Sequence, residues 1–519
     1  MQPNRRAFLT DVGRGMLIAS VGPVLAADLF PGRARADDAP ERLSFGKLEP
    51  LVALMQETAP DKLLPLLVER LRNGADLTQL TTVAALANAR AFGGEDYTAF
   101  HTMMAIAPAY HMSKELPEER RPLPIFKVLY RNSTCLQGHG GGHDHDALRP
   151  IKPAELPAGK SGADVLREAV DRKDIGGADQ IFVAISRGKP EDAFNQLLPS
   201  VQEELDVHRV VLPARAWDLL GIIGMEHAQT LLRQSVHYCA KNLSANPEAN
   251  TRPAAHVVLP KLLDQYKLVG RTLGTKPAED AWIDQMSKTI FSSTPEQAAD
   301  AVAAAFAEGM SPDAIGESLA LAANQLVLRD NGRPKAANDA KPIGSVHGDG
   351  IGVHACDSAN AWRNMARYSD PANAVACLIL GAYQCAFDRT DRGGDFLKWE
   401  PYPRAEAREK VKAGDAGALL AGAEAAIKNK DQATACALIQ RYGEEGHPER
   451  PVFDLLLRFA VSEDGALHAE KYYRTTSEEF AATRPAFRWR QLVALARVTA
   501  SEYGRPAPGY AEACKLLNV

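Results

Sequence analysis

The chain has 519 residues, of which 45% are hydrophobic, 24% charged and 7% aromatic, and its formal net charge is −5. This composition excludes a disordered chain, a collagen and a disulfide-dense mini-scaffold, while the length permits several domains or one repeat body. No apolar run reaches the ~20 residues that a bilayer span requires, and the acidic balance argues against a nucleic-acid partner, which needs a basic face.

The first segment reads as an address. Asn4-Arg5-Arg6-Ala7-Phe8-Leu9-Thr10 precedes an apolar stretch from Gly15 to Phe30 and then Ala34-Arg35-Ala36. Paired arginines, a short apolar region and an Ala-x-Ala site predict a twin-arginine (Tat) export signal cleaved after Ala36. The mature chain, 37–519, is then expected in the periplasm or secreted, without a transmembrane segment, and the export machinery is its first partner. Tat cargo crosses folded, often because it has acquired a cofactor, so the signal raises the expectation of a metal or organic group.

From there the pattern predicts an all-α fold. Lys62–Arg72, Glu296–Ala307 and Ala418–Ile427 carry apolar residues at helical spacing. Short polar turns such as Asn73-Gly74-Ala75-Asp76 separate the helices. Self-comparison aligns VHRVVLPARAW from Val207 with VHACDSANAW from Val353, and in both segments a cysteine follows the histidine after 31 positions, His208 to Cys239 and His354 to Cys385. Phe100-His101, reaching Cys135 after 34 positions, and Leu467-His468, which lacks the cysteine, mark two further copies. The expectation is one repeat domain of four degenerate helical units, near 50–150, 160–245, 295–390 and 412–505, stacked as a solenoid or a closed toroid. Seven cysteines, none in a C-x-x-C pair, remove the zinc-ribbon, thioredoxin and c-type haem patterns.

The repeated histidines His101, His208, His354 and His468 occupy matching places, so a curved or closed array brings them to one side. Neutral imidazole is the commonest metal ligand, and several together suit Fe, Cu or Zn. The same residues can equally cap or brace a helix in every unit. In SVHGDGIGVHAC (Ser345–Cys356), His347 and Asp349 offer a His/Asp pair for proton transfer beside His354. In GHGGGHDHD (Gly138–Asp146), His139, His143 and His145 with Asp144 and Asp146 can chelate a divalent ion, though a glycine-rich loop loses much entropy on ordering. Both motifs sit in long stretches, Gln137–Pro157 and Arg329–Gly352, which interrupt the helical pattern. Trp217 and Trp362 read as core anchors, and His227 and His237 as packing or surface residues. Gly-x-Ser-x-Gly, Gly-x-Gly-x-x-Gly and Walker A patterns are missing, and Gly159-Lys160-Ser161 has Ala154 where the P-loop needs glycine.

Through Asn4–Thr10, Phe100–Met112 (FHTMMAIAPAYHM) and Val346–Ala366 the chain resembles Tat-exported, all-helical bacterial proteins of uncharacterised function. The helices opening with Phe-His and Val-His-Ala are also similar to those of questin-oxidase-like proteins. That likeness implies an oxygenase acting on aromatic polyketides; it covers a minor share of the chain and carries over no catalytic residue. Two functions follow as expectations. One is a periplasmic metal-dependent oxidoreductase acting on a small molecule. The other is a non-catalytic helical scaffold that binds a protein or small-molecule partner.

Overall fold

Many of the helices begin where the sequence supplies a side-chain cap. Asp96, Asp206, Ser311 and Asp431 turn their side-chain oxygens onto the backbone N–H groups of the following first turn. Thr294 and Gln297 form a reciprocal capping box. Such caps satisfy donors that the helix leaves orphaned, and each contributes about 1 kcal/mol. Alanine, leucine and valine then fill the inward faces, as in Pro312–Arg329, where most residues are buried.

The computed structural model describes residues 42–519 except 139–145, 244–250, 339–340, 347, 349 and 392–394. The segment predicted as a Tat signal and the histidines His139, His143 and His145 therefore lie outside the described residues, as do His347 and Asp349. Among the described residues the chain is all-helical, with only isolated bridges outside the helices. Ser44–Val519 clusters as one unit.

In chain order the first group of helices is α1 (Glu49–Glu57), α2 (Pro60–Arg72), α3 (Leu77–Phe92), α4 (Tyr97–Glu115) and α5 (Pro122–Gly138). The second is α6 (Gly162–Asp171), α7 (Ile175–Ile185), α8 (Pro190–Gln202), α9 (Val207–Ile223), α10 (Ala228–Lys241) and the short α11 (Leu259–Gln265). Next come α12 (Asp280–Ser292), α13 (Pro295–Ala307), α14 (Pro312–Arg329), α15 (Ile351–Tyr368) and α16 (Pro371–Asp391). The last are α17 (Ala405–Lys410), α18 (Ala416–Lys428), α19 (Gln432–Glu444), α20 (Arg450–Ser462), α21 (His468–Ala482), α22 (Trp489–Glu502) and α23 (Tyr510–Leu517).

Four of these helices make the centre. α4 packs on α9, α9 on α15, α15 on α21, and α21 back on α4. They run parallel, because their side chains pair in register along the whole length. Asp357 of α15 accepts from Thr475 of α21 at 2.7 Å. A turn further on, Arg215 of α9 reaches Asn360 at 3.2 Å and Thr475 at 3.0 Å. Deeper still, Asn364 reaches Glu478 of α21 at 3.2 Å, and His111 of α4 pairs with Asp218 of α9 at 3.0 Å. The axis of the bundle is thus polar and cross-linked by hydrogen bonds rather than greasy, an arrangement that fixes register because a slip would break these pairings.

Around this bundle the outer helices bury the apolar sides. Trp362 is fully buried on α15 and donates its indole N–H to Gln384 of α16 at 2.7 Å, and Trp217 is buried against Phe194 of α8. Six of the seven cysteines are buried. They act as small packing residues there.

Candidate metal centre

The parallel bundle has one consequence that dominates its chemistry: four helix N-termini meet at one end, and each brings a histidine in or near its first turn. His101 follows Tyr97 by one turn in α4, His208 is the second residue of α9, His354 the fourth of α15, and His468 the first of α21. Their ring centroids form a closed circuit. His101 lies 4.8 Å from His208, His208 5.7 Å from His354, His354 5.3 Å from His468, and His468 5.3 Å from His101. Residues spread over most of the chain are brought within van der Waals reach by the helix order alone.

The outer nitrogens are held by protein acceptors. His101 Nδ1 lies 2.6 Å from the carbonyl oxygen of Tyr97, and His468 Nδ1 lies 3.1 Å from that of Ala466. A backbone carbonyl only accepts, so Nδ1 carries the proton in both rings and Nε2 keeps its lone pair. His208 Nδ1 faces Asp206 at 3.6 Å. The inner nitrogens converge: His354 Nε2 and His468 Nε2 are 3.2 Å apart. The Nε2 atoms of His101 and His208 are buried without a hydrogen-bond partner among the described residues. This outward anchoring of Nδ1 is how protein metal sites orient histidine ligands.

Size can be tested against the ion itself. An imidazole bound at ~2.0–2.1 Å places its centroid roughly 3.2 Å from the metal, so neighbouring centroids in a four-imidazole set stand roughly 4.5–5.2 Å apart. Of the four sides here, His101–His208 at 4.8 Å lies within that range, and the other three, at 5.3, 5.3 and 5.7 Å, lie above it. Among the described residues no group of three or more His, Cys, Asp or Glu side chains stands at metal-holding spacing.

Electrostatics favour a neutral His101 ring. Burial, the nearby Lys471 ammonium and the His208 ring push the His101 pKa down to about 2. The four converging helix N-termini add partial positive charge to the same place. Burial likewise lowers Lys471 to about 8, against the pull of Asp357 and Glu470. Asp357 moves upward, because its burial outweighs Lys471, Thr475 and Arg215. Burial opposes ionisation of Asp206 too, but His208, the Tyr238 hydroxyl and the Arg209 N–H outweigh it and hold the carboxyl below the usual range.

The cluster lies one ring beneath the surface. Tyr97, 63% exposed, stands 4.6 Å from His101 and 5.4 Å from His208 between centroids, while Phe100 stacks on His101 from within. On the far side Gly348 sits so close that a Cβ there would overlap the Cβ of His468, and its N–H donates to Glu502 at 2.7 Å. Gly348 separates the two residues predicted for proton transfer, His347 and Asp349.

Other sequence candidates go elsewhere. Asp146, the last residue of the GHGGGHDHD motif, is buried and accepts from Gln56 at 2.6 Å beside Arg90. His227 is partly exposed next to Glu226, and His237 is buried between Glu95 and Asp179. Tyr97, Asp206, Asp357 and Lys471 are site residues that the sequence reading did not select. A signal existed for three of them: Asp206 caps the helix that His208 opens, and Asp357 and Lys471 each follow a cluster histidine by three positions, on the same helix face.

A scan of protein-family models and searches of curated proteins and solved structures found no match to this chain.

Proposed function

We propose that the chain is a metal-binding protein whose ion is held by His101, His208, His354 and His468, and that it works as an oxidoreductase on a small molecule. The observation that carries the reading is the closed circuit of four imidazole rings from four chain-distant helices, with outer nitrogens on His101 and His468 tied to carbonyls. An all-imidazole set suits a redox-active first-row metal or zinc, so Fe, Cu and Zn are the candidates. When bound, such an ion supplies electron transfer or Lewis-acid activation. The chain's own residues do the rest. Lys471 and burial keep His101 unprotonated and ready to donate its lone pair, and Asp206 orients His208. Tyr97 forms a thin roof through which a small molecule approaches. Four degenerate helical units, each contributing one histidine helix, account for this convergence, and a Tat leader would deliver the folded, loaded protein to the periplasm. His347 and Asp349 remain the sequence-based choice for proton transfer.

The wider-than-ideal ring favours one second reading, in which the four imidazoles are aromatic packing in a non-catalytic helical scaffold. Elemental analysis of protein matured in the cytoplasm separates the two. The metal reading expects near one Fe, Cu or Zn per chain. Substoichiometric metal, with no uptake on adding these ions to the purified protein, sinks it.

A further inference from the structure

A second concave site lies between α12, α14, α19, α22 and the loop before α17, and it shares no residue with the histidine cluster. The cavity measures about 440 Å³, within the range of small-ligand pockets. Four of its lining residues are cations: Lys288, Arg329, Arg408 and Arg490. Only two carboxylates answer them. Asp284 is shared between Lys288 at 2.5 Å and Arg490 at 3.6 Å, and Glu444 takes Arg408 at 3.0 Å.

Arg329 is left without a carboxylate among the described residues. Its guanidinium, half-buried at the end of α14, donates to Gln325 at 3.1 Å and to the Trp399 carbonyl at 2.8 Å, and lies 5.6 Å from the Phe291 centroid. The excess extends behind the wall. Tyr402, which lines the cavity, carries Arg497 at 3.8 Å and Arg404 at 4.7 Å from its ring centroid. Arg497 is buried and spends its N–H groups on Gln432 and on the carbonyls of Val327 and Asp330. Arg404 donates to Asn331 at 2.9 Å, and its Nε is buried without a partner.

Uncompensated guanidinium groups taken partly out of water are costly. A chain of net charge −5 has acids to spend, yet it does not place them here. Concave, low-dielectric walls focus such a field on whatever enters. The remaining wall is apolar, with Phe291, Leu328, Pro401 and Val493. We propose that this cavity binds a small organic dianion, a phosphate monoester or a dicarboxylate on an apolar body, with Arg329 as its principal contact. Arginine supplies the planar paired donors that such oxyanions take.

The test is calorimetric titration of the full chain at low ionic strength with inorganic phosphate, phenyl phosphate and phthalate, on the parent and on Arg329→Gln. One saturable site per chain is expected, with phenyl phosphate or phthalate at least about tenfold tighter than inorganic phosphate and at least about tenfold weaker in Arg329→Gln. The tighter of the two aromatic probes identifies the source as phosphate ester or dicarboxylate. Lys288→Gln, whose side chain is 67% exposed, should cost only about threefold. Should Arg329→Gln fail to fold, Arg490→Gln, 35% exposed, takes its place with the same expectation. Absence of saturable binding by all three probes, or unchanged affinity in the folded arginine variant, overturns the proposal.

Discussion

Histidine occupies two interior places in this molecule, a ring of four (two buried, two partly buried) and the single buried His237, and the two places are chemically opposite. At the bundle end, four imidazoles face one another, and the inner nitrogens of His101 and His208 have no hydrogen-bond partner among the described residues. On α10, His237 has a carboxylate beside each nitrogen: Glu95 hydrogen-bonds Nδ1 at 3.0 Å, and Asp179 lies 3.1 Å from Nε2 as an ion-pair neighbour outside hydrogen-bond geometry, with Arg233 on the same aspartate at 2.5 Å. Burial lowers both His101 and His237, but for His237 the two carboxylates win and raise it, whereas for His101 only the Tyr97 carbonyl opposes the fall, and it is outweighed. A histidine set between two carboxylates is bracing; one whose inner nitrogen faces other imidazole rings instead of acid has room for a cation. The surroundings of the second nitrogen, not burial, separate the two.

Removing a histidine from each group should break this contrast most sharply. His208→Ala is expected to lower metal occupancy at least about tenfold, as loss of a ligand does, whereas His237→Ala leaves it unchanged. Metal analysis of both purified variants checks this, and equal metal content in the two would dissolve the distinction. Stability should respond in the reverse order. Arg233→Met strips Asp179 of its closest cation in a buried setting and should cost about 3–5 kcal/mol in urea unfolding, with the metal retained.

Backbone contact sharpens the comparison next. Gly348 leaves no room for a side chain against His468, and the neighbour is a Cβ that cannot swing away. Gly348→Ala should therefore shift α21 at its start, costing about 1–3 kcal/mol and weakening metal uptake. Gly504→Ala is the matched control, because a Cβ at Gly504 meets only the flexible end of Lys430; its left-handed φ makes it strained, yet it should leave the metal untouched.

How much of this was legible in the residues follows from what each feature depends on. Helices and their starts are local properties, so Asp96, Asp206 and the Thr294–Gln297 box could be read directly, and the all-α fold with them. The convergence of the four histidines was legible only as a consequence of matching positions, since Val207-His208 and Val353-His354 share a register. That they meet at N-termini of parallel helices was not legible, because it depends on long-range pairings such as Arg215 with Asn360 and Thr475. Lys471 illustrates the remaining gap. Its spacing from His468 placed it on the correct face, but its depressed pKa arises from burial by the neighbouring helices of the bundle, which no local pattern encodes.

The smallest effect tests the electrostatics of the two groups against each other in metal-free protein. His101 is held at about 2 when folded, against the ordinary imidazole value of 6.5. Below pH 6.5 the unfolded chain therefore binds a proton that the folded chain refuses, and stability falls as the pH drops. His237 has the opposite sign: its folded pKa is raised above 6.5, so its contribution is complete below that value and is lost as pH rises through the folded one. Urea unfolding across this range should show a His101→Gln variant that loses less stability than the parent, by about 1 kcal/mol for the first pH unit below 6.5. His237→Gln should differ from the parent on the other side, with a flatter decline as pH rises above 6.5. Identical pH profiles for the parent and both variants would mean that the two clusters do not differ in the way their ring nitrogens imply, and the case for a cation among the four imidazoles would lose its electrostatic half.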